Sequence, residues 1–348
     1  MFGTIIVLKA IYVDLSDRMF SDQNKRSYPA GHTSRRDFLR TTGAVALSST
    51  LLSSCSGLLD DIFPNRKNRD KTLAFIGDSL TIGAGGIRPY GNIVGLAFPD
   101  RPIVSDGIVG QVASSIAVRQ GGRSLIISIE GNKLNGIQPV TITKLNDKFL
   151  STISNNHEYS RTGKINGVSC TIRRFSGDRY TITPATVSVI DVPEDSEFLL
   201  DDGPRVRSAT QILWYGRNNI GRGVESDIMP ALEDSVAYIN SPARYIILGI
   251  LQGTRDNQGT SNYNLISGVN TRLAEKYGKN FVVMTPPTDE EMAAIEYTPS
   301  EADRQDLARM NFPRGMRSDI NNDDIHMNDK GYQIVANRVI AKIKELKY

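Results

Sequence analysis

The sequence has 348 residues, of which 39% are hydrophobic and 23% charged, and its formal net charge is +3. This composition is typical of a globular protein and excludes an intrinsically disordered chain. The small net charge, without a basic stripe interleaved with aromatic residues, argues against nucleic-acid binding. The 3 histidines and 2 cysteines do not have the spacing of a zinc site, so we predict no metal.

The first 55 residues have the layout of an export signal. Paired arginines at Arg35 and Arg36 precede an apolar run over 41–52, and this run ends in a Leu-Ser-Ser-Cys sequence at Cys55. A run of about 12 apolar residues is too short to span a bilayer as a helix. The pattern resembles a twin-arginine signal peptide with a lipoprotein cleavage site, which predicts lipidation of Cys55. The start codon stays open, since Met1 and Met19 are both candidates.

Residues 56–70 form a polar linker, and an alternation of strand and helix patterns begins at residue 71. Continuous apolar runs at 72–76, 210–216, 244–251 and 280–286 are typical of parallel strands covered on both faces. Amphipathic helix patterns follow at 228–239, 264–278 and 328–346. We therefore predict an α/β domain over 71–120 and 209–348, with a parallel sheet and helices on both faces.

Residues 121–208 interrupt this alternation. Five short segments with two-residue alternation are separated by Asn, Gly, Asp and Pro turns, which predicts an inserted, small all-β domain. The pattern leaves open whether the insert is a sandwich or a barrel. Cys170 lies on the apolar side of one segment, and we expect it to be an inert core residue.

Ser79 follows the first apolar run directly, in the sequence Gly-Asp-Ser-Leu over 77–80. A polar turn after a buried parallel strand places its side chains at the carboxyl edge of the sheet, where α/β folds bind ligands. Ser79 is therefore a candidate nucleophile. Its alternative role is that of a turn residue that caps the next helix.

His326 lies just before the last helix, three residues after Asp323. This spacing allows the carboxylate to bond Nδ1 of the imidazole and leaves Nε2 free to accept a proton from a serine. Asp324 is close enough in sequence to compete for the same position. His157 lies among polar residues of the insert, and we expect it to be exposed.

Two further positions offer donors for a developing oxyanion. Gly110 lets its backbone N–H approach a ligand closely, because a glycine has no side chain. Asn218, after the apolar run at 210–216, offers a neutral amide donor.

These four motifs, in this order, resemble the conserved blocks of the SGNH (GDSL-type) hydrolase superfamily over residues 71–120 and 209–348. The resemblance implies a flavodoxin-like sheet with Ser79 as nucleophile, His326 as base and Asp323, rather than Asp324, as its partner. It also implies an oxyanion hole made of the N–H groups of Ser79 and Gly110 and the amide of Asn218. It implies no cofactor. The insert departs from the simple family pattern.

The sequence therefore predicts a serine ester hydrolase that is exported to the cell envelope and attached to a membrane through a lipid on Cys55. The resemblance and the predicted location in the cell envelope favour a short acyl ester, such as an O-acetyl group, on a carbohydrate. Two alternatives stay open. One is a lysophospholipase or thioesterase acting on lipid esters, and the other is a non-catalytic glycan-binding lipoprotein that uses the insert. The oligomeric state is left open.

Overall fold

The computed structural model describes residues 69–151, 157–320 and 323–348. The predicted leader, with Cys55, and nearly all of the linker lie outside these ranges. In chain order the strands are β1 (Leu73–Gly77), β2 (Ile103–Gly107), β3 (Leu125–Ile129), β4 (Lys133–Gly136), β5 (Val140–Leu145), β6 (Tyr159–Ile165), β7 (Val168–Phe175), β8 (Arg179–Pro184), β9 (Ser188–Asp191), β10 (Ser196–Leu200), β11 (Thr210–Trp214), β12 (Tyr245–Leu248) and β13 (Phe281–Val282).

The helices alternate with the strands of the α/β domain. They are α1 (Tyr90–Ala97), α2 (Ala113–Gln120), α3 (Asp202–Val206), α4 (Ile228–Tyr238), α5 (Ser261–Tyr277), α6 (Asp289–Ala293), α7 (Glu301–Ala308) and α8 (Asp329–Leu346). None of the helices in the described part of the chain has the length and apolar character needed to cross a bilayer.

Five strands form the parallel sheet, in the order β13-β12-β11-β1-β2. Strand β1 is next to the edge strand β2, and Phe75 lies opposite Ile212 on one side and Ser105 on the other. All five residues of β1 are buried, which explains why the strand is a continuous apolar run rather than an alternating one.

Helices cover both faces of this sheet. One core cluster joins Phe75 and Trp214 to residues of α1 and α8. A second cluster joins Ile76 and Leu213 to residues of α2, α4 and α5. The predicted parallel sheet with helices on both faces is thus confirmed.

The insert is a barrel. Six antiparallel strands close in the order β10-β3-β5-β8-β7-β6, and β4 and β9 pair separately as a two-stranded ribbon. The interior is filled by buried apolar side chains, including Ile127, Ile172, Ile182 and Phe198. Cys170 points into this core and is 2% exposed, and burial raises the pKa of its thiol to about 11. A thiol in this state is protonated and inert at neutral pH, as expected.

The sequence patterns misjudged several elements. The sequence patterns do not predict strand β6, because Gly163 stands where an apolar residue would complete the alternation. A glycine is needed there, since a Cβ would clash with the ring of Phe198. The predicted run 179–192 is two strands, β8 and β9. The run 280–286 provides only Phe281–Val282 as a strand, because the chain beyond it leaves the sheet.

Candidate active site

Ser79 lies in a tight turn at the carboxyl end of β1. The N–H groups of Thr81 and Ala84 donate to the carbonyl oxygens of Asp78 and Ser79, at 3.1 and 3.0 Å. The side chain of Asp78 accepts a hydrogen bond from the N–H of Leu80 at 3.0 Å. The turn holds Ser79 only 4% exposed, so its hydroxyl lies just below the molecular surface.

The imidazole of His326 reaches this hydroxyl from the other end of the chain. His326 Nε2 lies 2.7 Å from Ser79 Oγ, although 247 positions separate the two residues. His326 Nδ1 lies 2.9 and 3.0 Å from the two carboxylate oxygens of Asp323. A carboxylate at Nδ1 favours the tautomer that leaves Nε2 as a proton acceptor for the serine.

Asp323, and not Asp324, is the partner of the imidazole. Asp323 also accepts hydrogen bonds from the N–H groups of Ile325 and His326, both at 3.0 Å. Asp324 instead accepts from Thr254 Oγ1 at 2.8 Å and pairs with Arg255 at 2.7 Å. Burial alone would raise the pKa of Asp323, but these N–H donors and the imidazole outweigh burial and lower it, so the carboxylate stays ionised.

The start of helix α8 ties the two halves of the site together. Asn328 caps the helix, its side chain accepting from the N–H groups of Lys330 and Gly331. Asp329 Oδ1 accepts from the N–H of Ile87 at 2.7 Å, and the Tyr332 hydroxyl donates to Ala84 O at 2.7 Å. The helix that follows His326 therefore holds the loop that follows Ser79.

Asn218 lies on the turn after β11, next to the nucleophile turn. Gly216 starts this turn with φ of 101°, which a residue with a side chain rarely adopts, and a Cβ there would crowd Ile250 Cδ1 at 3.0 Å. Asn218 is 7% exposed, and its Nδ2 donates to Asp78 Oδ2 at 2.8 Å. An amide nitrogen carries two protons, so this bond fixes the side chain and leaves one N–H for another acceptor.

The predicted backbone donors are Ser79 and Gly110. Neither N–H donates a hydrogen bond to any group in residues 69–151, 157–320 and 323–348. Gly110 is buried and has φ of 76°, which a residue with a side chain rarely adopts. The structure thus leaves both N–H groups unpaired, as an oxyanion hole requires.

Asp78 is an ionisable group buried directly behind the nucleophile. Burial raises its pKa to about 6, although the Leu80 N–H, His326, Arg217 and the Asn218 amide all favour the ionised form. At neutral pH the carboxylate is charged and accepts the Asn218 hydrogen bond. Sequence reasoning treated Asp78 only as part of the Gly-Asp-Ser-Leu motif.

Sequence reasoning missed Arg119, which is fully buried beside the site. Its Nη2 donates to Gly77 O at 2.8 Å, its Nε donates to Gln111 Oε1 at 2.7 Å, and its Nη1 pairs with Asp106. Gly77 and Gln111 are neighbours of Ser79 and Gly110 along the chain. Arg119 therefore joins the nucleophile turn to the Gly110 loop. The feature of the sequence that could have revealed this role is an arginine on the buried face of α2.

The barrel contacts this same loop. Gln111 Nε2 donates to Phe149 O at 2.5 Å, and Arg161 of β6 donates to Asp106 Oδ1 at 2.8 Å. Burial would raise the pKa of Asp106, but Arg119 and Arg161 outweigh it and lower the pKa. The insert is thus connected to the Gly110 loop through the polar side chain of Gln111, and to strand β2 through the Arg161–Asp106 ion pair.

His157 has no contact with the residues of the triad in the part of the chain that the structure describes. It is exposed, as expected, two residues before β6, and its carbonyl oxygen accepts from Arg174 at 2.5 Å. Within the described ranges, no group of three or more His, Cys, Asp or Glu side chains could hold a metal ion.

No protein-family model and no curated protein matches this chain. Solved structures do resemble it. One is a protein from Desulfitobacterium hafniense DCB-2 assigned to the G-D-S-L family of lipolytic proteins, at 11% identity and a TM-score of 0.41, covering 78% of this chain and 99% of that one. Another is a peptidoglycan O-acetylesterase, at 14% identity and a TM-score of 0.34, covering 80% and 91%.

A third is a protein from Chitinophaga pinensis DSM 2588 described as a lipase candidate, at 10% identity and a TM-score of 0.39, covering 79% of this chain and 98% of that one. The G-D-S-L family is the one that the motifs of this sequence resemble. Likeness at this level does not define an activity, so the residues of the site carry the functional conclusion.

The raised pKa of Asp78 predicts how stability depends on pH. The folded state holds its proton up to about pH 6, whereas an unfolded aspartate loses it near 3.8. The contribution of Asp78 to the free energy of unfolding should therefore fall as pH rises through this window, by about 3 kcal/mol for a shift of about two units. Asp78→Asn removes the titrating group. Between pH 4 and pH 7, the free energy of unfolding of the variant should therefore rise relative to that of the wild type by about 3 kcal/mol.

Urea unfolding of both proteins at several pH values measures this difference. Asp100→Asn, which removes an exposed carboxylate, controls for the loss of one charge. Parallel pH profiles of the wild type and Asp78→Asn would show that Asp78 is not a buried titrating group.

Proposed function

We propose that the protein is a serine esterase of the SGNH (GDSL) type, with Ser79 as nucleophile, His326 as general base and Asp323 as its orienting partner. The observation that carries this proposal is the 2.7 Å contact between His326 Nε2 and Ser79 Oγ, with a carboxylate at Nδ1. A serine hydroxyl that contacts an imidazole, which in turn contacts a carboxylate, is the arrangement that activates a serine nucleophile.

In the first half of the reaction, Ser79 Oγ attacks the ester carbonyl while His326 Nε2 takes the hydroxyl proton. The resulting imidazolium is stabilised by the ionised Asp323, whose two oxygens face Nδ1. The tetrahedral intermediate then collapses, and His326 gives the proton to the leaving alkoxide. The products of this half are an alcohol and an acyl-Ser79 ester.

The negative oxygen of the intermediate is stabilised by three donors in this proposal. The unpaired N–H groups of Ser79 and Gly110 are two of them, and the second amide proton of Asn218 is the third. Asp78 holds the Asn218 amide in place, and Arg119 joins the Gly77 and Gln111 backbone segments that carry the other two donors. Because these donors are already held in place, little reorganisation of the protein is needed when negative charge develops on this oxygen.

In the second half, a water molecule attacks the carbonyl carbon of acyl-Ser79 while His326 Nε2 takes one of its protons. The bond between the acyl carbon and Ser79 Oγ then breaks, His326 returns the proton to Oγ, and the acyl group leaves as a carboxylic acid.

We propose a short acyl group, such as acetyl on a carbohydrate. Ser79 is 4% exposed, so a substrate must bring a slender ester to it. A lipid ester substrate is the competing assignment, and chain-length dependence of p-nitrophenyl ester hydrolysis distinguishes the two: a maximum at long acyl chains would favour the lipid.

Removing the nucleophile or the base should abolish turnover. In Ser79→Ala and His326→Ala, we expect hydrolysis of p-nitrophenyl acetate to fall by roughly 10⁴-fold or more, because neither group has a substitute in the site. His157→Ala, which changes the exposed histidine of the insert, should keep wild-type rates. Similar rates in all three variants would rule out a serine esterase and favour a glycan-binding role without catalysis.

The oxyanion role of Asn218 is separately testable. Asn218→Ala should lower kcat for p-nitrophenyl acetate by about 10²–10³-fold with a smaller change in KM, because the lost donor acts mainly in the transition state. The matched control is Asn280→Ala, since Asn280 is also buried but its amide donates to Tyr245 O, at the start of β12. Equal losses of kcat in the two folded variants would contradict the assignment.

We further propose that the protein is exported and held in the cell envelope by a lipid on Cys55, with twin-arginine export of the folded chain. The Arg35-Arg36 pair and the Leu-Ser-Ser-Cys sequence support this proposal. In cells fed a labelled fatty acid, the wild type should carry the label and sediment with membranes. Cys55→Ser should lose both properties, and an unlabelled wild type would contradict the lipid anchor.

A further inference from the structure

Arg217 directly precedes Asn218 in the turn after β11, and its side chain is only 11% exposed. Its Nη1 lies 2.8 Å from Asp256 Oδ2 and donates to Leu251 O at 3.1 Å. Both partners belong to the segment 249–260, which follows β12 and is called the β12 loop below. Arg217 therefore connects the turn that carries Asn218 to a loop that the proposed mechanism does not use.

The β12 loop also contacts the segment that carries the acid of the triad. The Thr254 N–H donates to Asp324 O at 2.8 Å, and Thr254 Oγ1 donates to Asp324 Oδ1 at 2.8 Å. Asp324 directly follows Asp323, so these two bonds hold the backbone next to the catalytic carboxylate. The same loop thus contacts both the turn of the oxyanion amide and the Asp-x-x-His segment.

Gly253 lies where these two sets of contacts meet. A Cβ at this position would lie 2.9 Å from Asp324 O and 3.2 Å from Arg217 Nη2, so the loop backbone packs closely against both groups. The Gly253 N–H donates to Asp256 Oδ2 at 2.8 Å, and this is the oxygen that Arg217 contacts. The guanidinium group, the loop backbone and the Asp324 carbonyl therefore form one packed unit.

The pair of Arg217 and Asp256 is costly to bury. Asp256 is 2% exposed, and Arg217 Nε is buried without a hydrogen-bond partner in the described part of the chain. Desolvation offsets most of the attraction within a buried ion pair, and an unpaired N–H adds to this cost. Such a pair contributes little net stability, so its value to the protein must lie in the position that it fixes.

We propose that Arg217 is a positioning residue of the esterase, which holds the turn of Asn218 so that the Asn218 amide reaches the oxyanion. This proposal rests on the esterase function above and deepens it. Arg217 acts through Asn218 rather than on the substrate. Burial raises the pKa of Asp78, and the charge of Arg217 opposes that shift, which helps Asp78 to stay ionised and to accept the hydrogen bond from Asn218.

Loss of Arg217 should slow the reaction more than it weakens substrate binding. In Arg217→Met, kcat for p-nitrophenyl acetate should fall about tenfold with a smaller change in KM, because a displaced oxyanion donor acts mainly in the transition state. Arg217→Lys keeps the positive charge and should recover part of kcat. The matched control is Arg222→Met, which removes a nearby exposed arginine and should keep the wild-type kcat.

A double-mutant cycle separates positioning from a general loss of structure. In Asn218→Ala the amide donor is already absent, so adding Arg217→Met should change kcat by less than about twofold. A general loss of structure would instead lower kcat by the same factor with and without Asn218. Equal factors in the two backgrounds would overturn the proposal, and so would a wild-type kcat in Arg217→Met.

Circular dichroism and thermal unfolding check that each variant is folded. If Arg217→Met does not fold, because Asp256 is left as an unpaired buried charge, Arg217→Met/Asp256→Asn takes its place in the cycle. This variant removes both charges of the pair, and the same outcomes apply to it.

The two proposals fail in different ways. A wild type that does not hydrolyse p-nitrophenyl acetate would overturn the esterase function itself. A wild type that hydrolyses this ester, but loses the same factor in kcat from Arg217→Met whether or not Asn218 is present, would overturn only the positioning role of Arg217.

Discussion

The hydrogen bond between His326 Nε2 and Ser79 Oγ is the interaction on which this molecule depends for a chemical role. It joins two residues 247 positions apart. The bond exists because β1 lies inside the parallel sheet and α8 packs on the same sheet, in one core cluster. Asp329 and Tyr332 then fasten the start of α8 to the loop after Ser79. The packing of the last helix therefore brings the imidazole to the serine, whereas the contact between His326 and Asp323 is set within the local Asp-x-x-His segment.

Behind the triad, the fold keeps charged groups in places where burial is costly. Asp78 is buried, and its raised pKa measures that cost. The buried carboxylate has a positional role, because its hydrogen bond fixes the orientation of the Asn218 amide beside the nucleophile. Arg119 is fully buried as well, but its partners Gly77, Gln111 and Asp106 satisfy the guanidinium group. Such groups are retained where position matters more than stability.

The barrel borders the candidate active site on two neighbouring elements of the α/β domain. It contacts the Gly110 loop through the hydrogen bond from Gln111 to Phe149 O, and it contacts strand β2 through the Asp106–Arg161 pair. Arg119 binds both Gln111 and Asp106, so the same guanidinium group connects the two contacts to the turn that carries Ser79. The insert therefore packs against the segments that flank the nucleophile.

The sequence by itself determined the local features. Continuous apolar runs predicted the buried strands, Gly-Asp-Ser-Leu and Asp-x-x-His predicted the candidate triad, and period-two alternation predicted a β insert. Local chemistry could not determine which neighbours meet in space. The choice of Asp323 over Asp324 was implied only by the family resemblance, and the tertiary structure shows why: Asp324 binds Thr254 and Arg255 instead. Only the tertiary structure decided that Asn218 bonds Asp78 and that the insert closes as a barrel. Arg119 has no local motif, because its role comes from contacts with Gly77, Asp106 and Gln111, and these contacts exist only once the chain has packed.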